Sequence, residues 1–153
     1  MLDIKKALKD IMIRLNLIND YVVETGTSGI WTYRKWNSGI AECWGDYVFM
    51  SKCNSAWGNG YIGDTLVNLT FPFTFAEIPK LTVTPSHYSG YGCLAMSAGT
   101  AATTSTTKTG EFQIFRTSSV GSSTYYKFSF DVKGLWKQLG GVVRHLIWRW
   151  SYA

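Results

Sequence analysis

Between Ile30 and Lys137 no long segment repeats its apolar residues every 3.6 positions. Short runs rich in β-branched and aromatic residues follow one another instead, separated by Gly, Asn and Ser. A chain without helical periodicity over such a length hides its apolar side chains by pairing strands. There is much to hide: seven Trp, nine Tyr and eight Phe in 153 residues. Strands are expected at 29–36, 40–44, 47–52, 66–75, 80–84, 93–98, 111–117 and 125–135. Asn37-Ser38-Gly39 and Gly58-Asn59-Gly60 read as turns, since Gly and Asn tolerate positive φ. Gly45-Asp46 reads as a break between two strands, and 120–124 as a turn. Segment 99–110, rich in Thr, Ser and Ala, is either a polar hairpin or a loop. About eight strands at this spacing predict a mainly β fold, an antiparallel β-sandwich.

The N-terminal residues follow a different rule. Apolar side chains fall at Ile4, Leu8, Ile11, Leu15, Ile18 and Val22, in steps of 4, 3, 4, 3 and 4. That is a heptad seam with Leu8, Leu15 and Val22 at a and Ile4, Ile11 and Ile18 at d. Leu at a with Ile at d favours trimers and tetramers over dimers. Met12 and Ala7 widen the apolar stripe, which favours the same outcome. A helix packed on its own domain would follow a 3.6 period, and its stripe would drift from this repeat. The six seam residues are therefore expected at the interface of a parallel trimeric coiled coil. Glu24-Thr25-Gly26-Thr27-Ser28-Gly29 follows as a breaker. The division expected is a coil over 1–24, a sandwich over 25–137 and an extra C-terminal segment over 138–153. A start on a heptad fits a piece of a longer fibre.

Composition excludes several classes. With 46% hydrophobic and 16% charged residues, the chain can bury enough surface to offset its ordering entropy. No apolar run reaches the roughly 18 residues of a membrane span, so no membrane insertion is expected. Charges thread the first residues, Met1-Leu2-Asp3-Ile4-Lys5-Lys6, where a secretory signal needs an unbroken apolar run. The net charge is +5, but Lys and Arg are scattered, without the clustering a nucleic-acid footprint needs. Three cysteines, Cys43, Cys53 and Cys93, lack a CxxC spacing and read as buried free thiols.

The run Trp31-Thr32-Tyr33-Arg34-Lys35-Trp36-Asn37-Ser38-Gly39-Ile40-Ala41-Glu42-Cys43-Trp44-Gly45 resembles the KW-SG-AE-WG signature of bacteriophage tail-fibre C-terminal domains, found in phages and prophages of Gram-positive hosts. Leu69-Thr70-Phe71-Pro72-Phe73-Thr74-Phe75, then Ile78-Pro79-Lys80-Leu81-Thr82-Val83, resembles the family's second block, an FP…F…P…V pattern. The stretch Gly134-Leu135-Trp136-Lys137 resembles its usual end, so the similarity covers about 30–137. The resemblance implies an H-type lectin-like sandwich, a homotrimer, and a place at a fibre tip that contacts the host surface. It also implies carbohydrate binding by analogy of fold, without a residue-by-residue match. Beyond the family's end, 138–153 could be an added strand, a docking tail or a frame artefact.

Enzyme chemistry finds little support. His87 and His145 are the two histidines, and a Cys93–His87 nucleophile pair lacks an orienting Asn or Asp nearby. Glu42 and Asp46 are close in sequence as a glycosidase pair might be, but Glu42 lies mid-strand in the signature. No HExxH, GxSxG or phosphate loop occurs. No catalytic residue, metal site or cofactor is expected. Trp31, Trp36, Trp44 and Trp136 read as core or subunit contacts. Trp57, Tyr61, His87, Tyr88 and Tyr91 read as loop residues and are the candidate glycan contacts, with loop packing or trimer contact as the alternative. The reading is a phage tail-fibre or baseplate receptor-binding protein. Its expected partners are itself as a homotrimer, a host cell-surface polysaccharide, and other tail or baseplate proteins. It would sit in the virion after assembly in the bacterial host cytoplasm. A purely structural trimer without a receptor site is the alternative, and a fibre-borne hydrolase the third.

Overall fold

Two strands organise the domain, and both follow from strict period-2 alternation. The computed structural model describes residues 3–14, 20–88 and 92–138, in which helix α1 (Ile4–Arg14) precedes eight strands. These are β1 (Val22–Ser28), β2 (Trp31–Trp36), β3 (Ile40–Trp57), β4 (Gly60–Gly63), β5 (Lys80–His87), β6 (Leu94–Ser97), β7 (Phe112–Arg116) and β8 (Val120–Leu135). In β3 the odd-numbered Ala41, Cys43, Phe49, Ser51 and Cys53 are buried; in β8 the even-numbered Tyr126, Phe128, Phe130 and Val132 are. The two pair antiparallel from Ile40 opposite Leu135 to Cys53 opposite Val120. The far edge of β8 takes β5. The other edge of β3 takes β2 near its start and β4 near its end. From β2 the sheet continues to β1, and from β4 to β7 and β6, giving one antiparallel sheet. The sheet folds over its own inner face, so that Phe112 of β7 meets Phe130 of the non-adjacent β8 at 6.4 Å between ring centroids.

Gly45 and Asp46 do not break a strand. β3 runs through them without interruption. The glycine answers a different demand: a Cβ at 45 would overlap the carbonyl oxygen of Ile30, which lies against the strand there. Likewise 120–124 is the start of β8 and no turn.

The phenylalanine run 66–75 is not a strand of the sheet. It makes isolated bridges, Val67 with Phe112 and Thr70 with Lys108. Its backbone bonds go to the Thr-rich loop instead, Phe71 N to Thr107 O and Phe75 N to Thr106 O, each at 2.9 Å. Pro72 has no N–H to give a ladder. Phe71 and Phe75 then drop into the core, and the fully buried Thr109 accepts a bond from Leu69 N through Oγ1. The loop 99–110 thus holds the phenylalanines in place. Trp31, also buried, donates through Nε1 to Thr70 O at 2.8 Å.

The signature block turns out to be a cross-strand lattice. Arg34 pairs with Glu42 across β2 and β3, its Nε donating at 2.9 Å. Its guanidinium lies 5.0 Å from the exposed Trp44 ring and 5.4 Å from Trp36. Lys35 points the other way, bonding Glu24 at 2.9 Å beneath Phe73 and Trp136. Of the four tryptophans expected in core or subunit contacts, Trp31 is core, Trp36 and Trp136 are half-buried, and Trp44 is on the surface.

The N-terminal expectation needs correction. Asp3 caps α1, its Oδ1 accepting from Lys6 N and its carbonyl from Ala7 N. Ile4, Leu8 and Ile11 of the seam are 73%, 57% and 52% exposed in the single chain. Val22, however, is a residue of β1, and 24–28 is strand rather than breaker. Thr25 and Thr27 are β-branched, and Gly26 leaves room for the Tyr33 ring, whose hydroxyl a Cβ would meet at 2.6 Å. Asp20 and Tyr21 tie the entry to β1 onto the β2–β3 turn through Ser38 and Asn37. The coil therefore cannot extend to 22 or 24. Leu15, Ile18, Tyr91 and the segment 139–153 lie outside the described residues.

Candidate ligand-binding groove

The hairpin β3–β4 and strands β6 and β7 carry an aromatic surface. Gly58, at φ 56°, lets the chain reverse between Trp57 and Gly60, leaving Trp57 at the strand end and 55% exposed. Its ring meets Phe115 edge-on at 6.0 Å. Around this pair Leu94, Ala95 and Met96 of β6 complete a depression of about 170 Å³. Leu94 and Phe115 also wall a second depression of about 260 Å³, with Cys93, Arg116 and Thr117. Arg116 in turn lines a third, of about 510 Å³, with His87, Thr124 and the loop 118–122. The first two share Leu94 and Phe115, and the second and third share Arg116.

Arg116 follows Ile114 by two positions, so the pleat turns it inward, and it is 5% exposed. Its Nη1 donates to the Tyr126 hydroxyl at 3.4 Å. His87, at the end of β5, packs its ring 4.7 Å from Tyr126 and sets Nε2 3.1 Å from Thr124 Oγ1. Burial, and after it the Arg116 charge, pull the imidazole below its ordinary pKa. The sign follows: the unfolded chain binds the proton more readily, so stability is lost as pH falls below about 6.5. Thermal melting of wild type and His87→Gln at pH 7.5 and pH 5 tests this; the acid drop should be smaller in the variant, and equal drops would refute it.

Thiol chemistry is suppressed at all three cysteines. Cys53 and Cys93 are raised above the ordinary thiol range by burial, and Cys43 is pushed up to about 12, again chiefly by burial. All three are free and stay protonated at neutral pH, the opposite of what a nucleophile needs. Among the described residues no cluster of three or more His, Cys, Asp or Glu could hold a metal ion. Nor is any described helix long and apolar enough to cross a membrane.

Of the five residues singled out from sequence, the four that are described are not gathered in one place. Trp57 lines the aromatic end of the groove and His87 the polar end. Tyr61 packs on the core from β4, its carbonyl accepting from Cys53 Sγ at 3.2 Å. Tyr88 stands exposed beside Tyr125 on another surface. Phe115, Leu94 and Arg116 were not singled out. For Arg116 a signal existed: it shares parity with Phe112 and Ile114, so an inward-facing charge could be read from the alternation.

No protein-family model matches this chain, and no curated protein matches it. Among solved structures, the chain is similar to an N-truncated R1-type pyocin tail fibre, at 15% identity and a TM-score of 0.49. That match covers 81% of this chain and 94% of the other. It is similar too to a P. aeruginosa R1 pyocin fibre comprising C-terminal residues, at 15% identity and a TM-score of 0.48. There 79% of this chain and 30% of the other are covered.

A separate depression, of about 560 Å³, lies on the outer sheet face among Thr32, Trp44, Asp46, Thr84, Ser129 and Asp131. Its character is acidic. Hydrogen bonds from Ser129 and Lys127 hold the Asp46 carboxyl below its usual range, so it is ionised at neutral pH.

Proposed function

We propose that this chain is a receptor-binding domain of a phage tail fibre or baseplate, a sandwich tip that adheres to a host-surface glycan as a homotrimer. The observation that carries the reading is the pairing, on strands β3 to β8, of an exposed Trp57–Phe115 surface with a pocket of guanidinium, imidazole and hydroxyl groups that also involves β7. Aromatic faces stack on the apolar faces of sugars while hydroxyl and nitrogen groups bond their edges. The signature block from Trp31 to Gly45 supports the fibre assignment, and the uncovered Ile4, Leu8 and Ile11 of α1 support self-association. Three weak sites on one trimer reinforce one another through avidity. Assembly in the host cytoplasm agrees with free thiols.

Two measurements test it. Sedimentation equilibrium should give about three times the 17.2 kDa chain mass, and Ile4→Asp with Ile11→Asp should lower it. Trp57→Ala should weaken adhesion by about 1 kcal/mol per site, roughly fivefold, with trimer mass and melting unchanged. Adhesion that survives this change moves the site elsewhere.

The purely structural reading is favoured by one feature. Trp44, Val48, Met50, Tyr88 and Tyr125 form an exposed apolar set on the outer faces of β3 and β8 and the end of β5. If copies meet there and nothing else binds, Tyr88→Ala would lower the oligomer mass and no glycan would be retained.

A further inference from the structure

Two depressions of the described domain differ in character. The outer-face depression presents Asp46 and Asp131. The pocket at the end of β5 presents Arg116, His87, Ser118, Ser119, Ser122 and Thr124, and no described carboxylate lines it. From this contrast we propose that the β5–β7 pocket is the subsite for the negatively charged substituent of an acidic glycan, a uronate carboxylate or a sugar-linked phosphate. The proposal rests on the adhesion reading and sharpens it.

Arg116 is the charge partner. Its guanidinium is held by the Tyr126 hydroxyl and is nearly shielded from water, so its attraction for an anion is weakly screened. The planar fork suits both carboxylate and phosphate oxygens. His87, neutral because burial and Arg116 disfavour its charged form, contributes a hydrogen-bonding ring nitrogen beside Thr124. The loop 118–122 contributes hydroxyls at the rim, and at Gly121 the space a side chain would fill is open. Room of about 510 Å³ admits one substituted sugar ring. The separate depression at Phe115 and Trp57 offers stacking, which needs no charge. The two surfaces select different properties of a glycan: charge at Arg116, an apolar sugar face at Trp57.

The test is titration calorimetry of the full chain with three probes: oligogalacturonate, poly(glycerol phosphate) and neutral dextran. At least one acidic probe should bind about tenfold or more tightly than dextran, and the tighter of the two identifies carboxylate or phosphate. Ser119→Asp with Ser122→Asp, both at exposed rim positions, should weaken the acidic probe at least about tenfold while melting stays unchanged. Arg116→Lys keeps the charge and loses the fork, and should weaken the same probe about fivefold. Equal binding of acidic and neutral probes, or rim variants that bind like wild type, would overturn the proposal. If neither acidic probe binds while the chain is retained on an array of bacterial surface glycans, this inference fails and the adhesin reading stands. If nothing is retained on that array either, both fail.

Discussion

Phe128→Ala should remove a large fraction of the domain's stability, on the order of 3–5 kcal/mol. The ring is fully buried in β8, 4.8 Å from Phe49 and 6.0 Å from Phe130 between centroids. Its neighbours sit on paired strands, so the backbone ladder prevents them from collapsing into the void. Small domains have only about 5–15 kcal/mol in total, and the melting temperature should drop by roughly 10–20 °C. Val48→Ala on the outer face of β3 is the control: it is 44% exposed, and its loss should cost well under the core value. Comparable losses at the two positions would mean that the outer face is covered as firmly as the core, as in an assembly held together through that face.

Gly45→Ala should destabilise by about 1–3 kcal/mol although it adds a single methyl group. A Cβ there would overlap the carbonyl oxygen of Ile30 and come within 2.9 Å of its carbonyl carbon. Both are backbone atoms, which cannot swing aside as a side-chain tip can. The methyl would push β3 away from the turn between β1 and β2. Gly121→Ala is the matched comparison, because nothing lies within 4 Å of its Cβ position. It should be neutral or slightly stabilising, by about 0.4–1 kcal/mol, through a less flexible unfolded chain. Urea midpoints of the two variants would decide, and a Gly45→Ala protein as stable as wild type would refute the steric account.

These two sites mark where the sequence could be read and where it misled. Parts of β3 and β8, at 40–44, 47–52 and 125–135, were legible as strands, because a run of β-branched and aromatic residues is a local signal. The turns at Gly39 and Gly58 were legible for the same reason, since positive φ is a demand of the turn itself. Gly45 looked like such a turn residue and was not. Its demand comes from Ile30, fifteen positions earlier, and is satisfied inside an unbroken strand. The run 66–75 failed in the opposite direction. Its composition suits a strand, but its hydrogen bonds were claimed by 106–109, a loop that looks merely polar in isolation.

The groove shows the same division at the level of function. Trp57 and His87 stood out as aromatic and titratable residues in loop-like text, and each lines one end of it. Tyr61, chosen on similar grounds, packs on the core because β4 pairs with both β3 and β7 and turns the ring inward. Arg116 carried a parity signal, but its value depends on His87 and Thr124, which come from β5 and β8.

The sequence by itself determined what is periodic or local: a mainly β chain, pieces of its strands, its glycine turns and an apolar seam at the start of α1. Only the tertiary structure decided that Val22 belongs to a strand, that one sheet carries all eight strands, and that a buried arginine meets a histidine 29 positions away in the chain. The physical reason is common to all three. Strand pairing and pocket formation join residues far apart in the chain, and the energy that selects them resides in contacts no single segment contains.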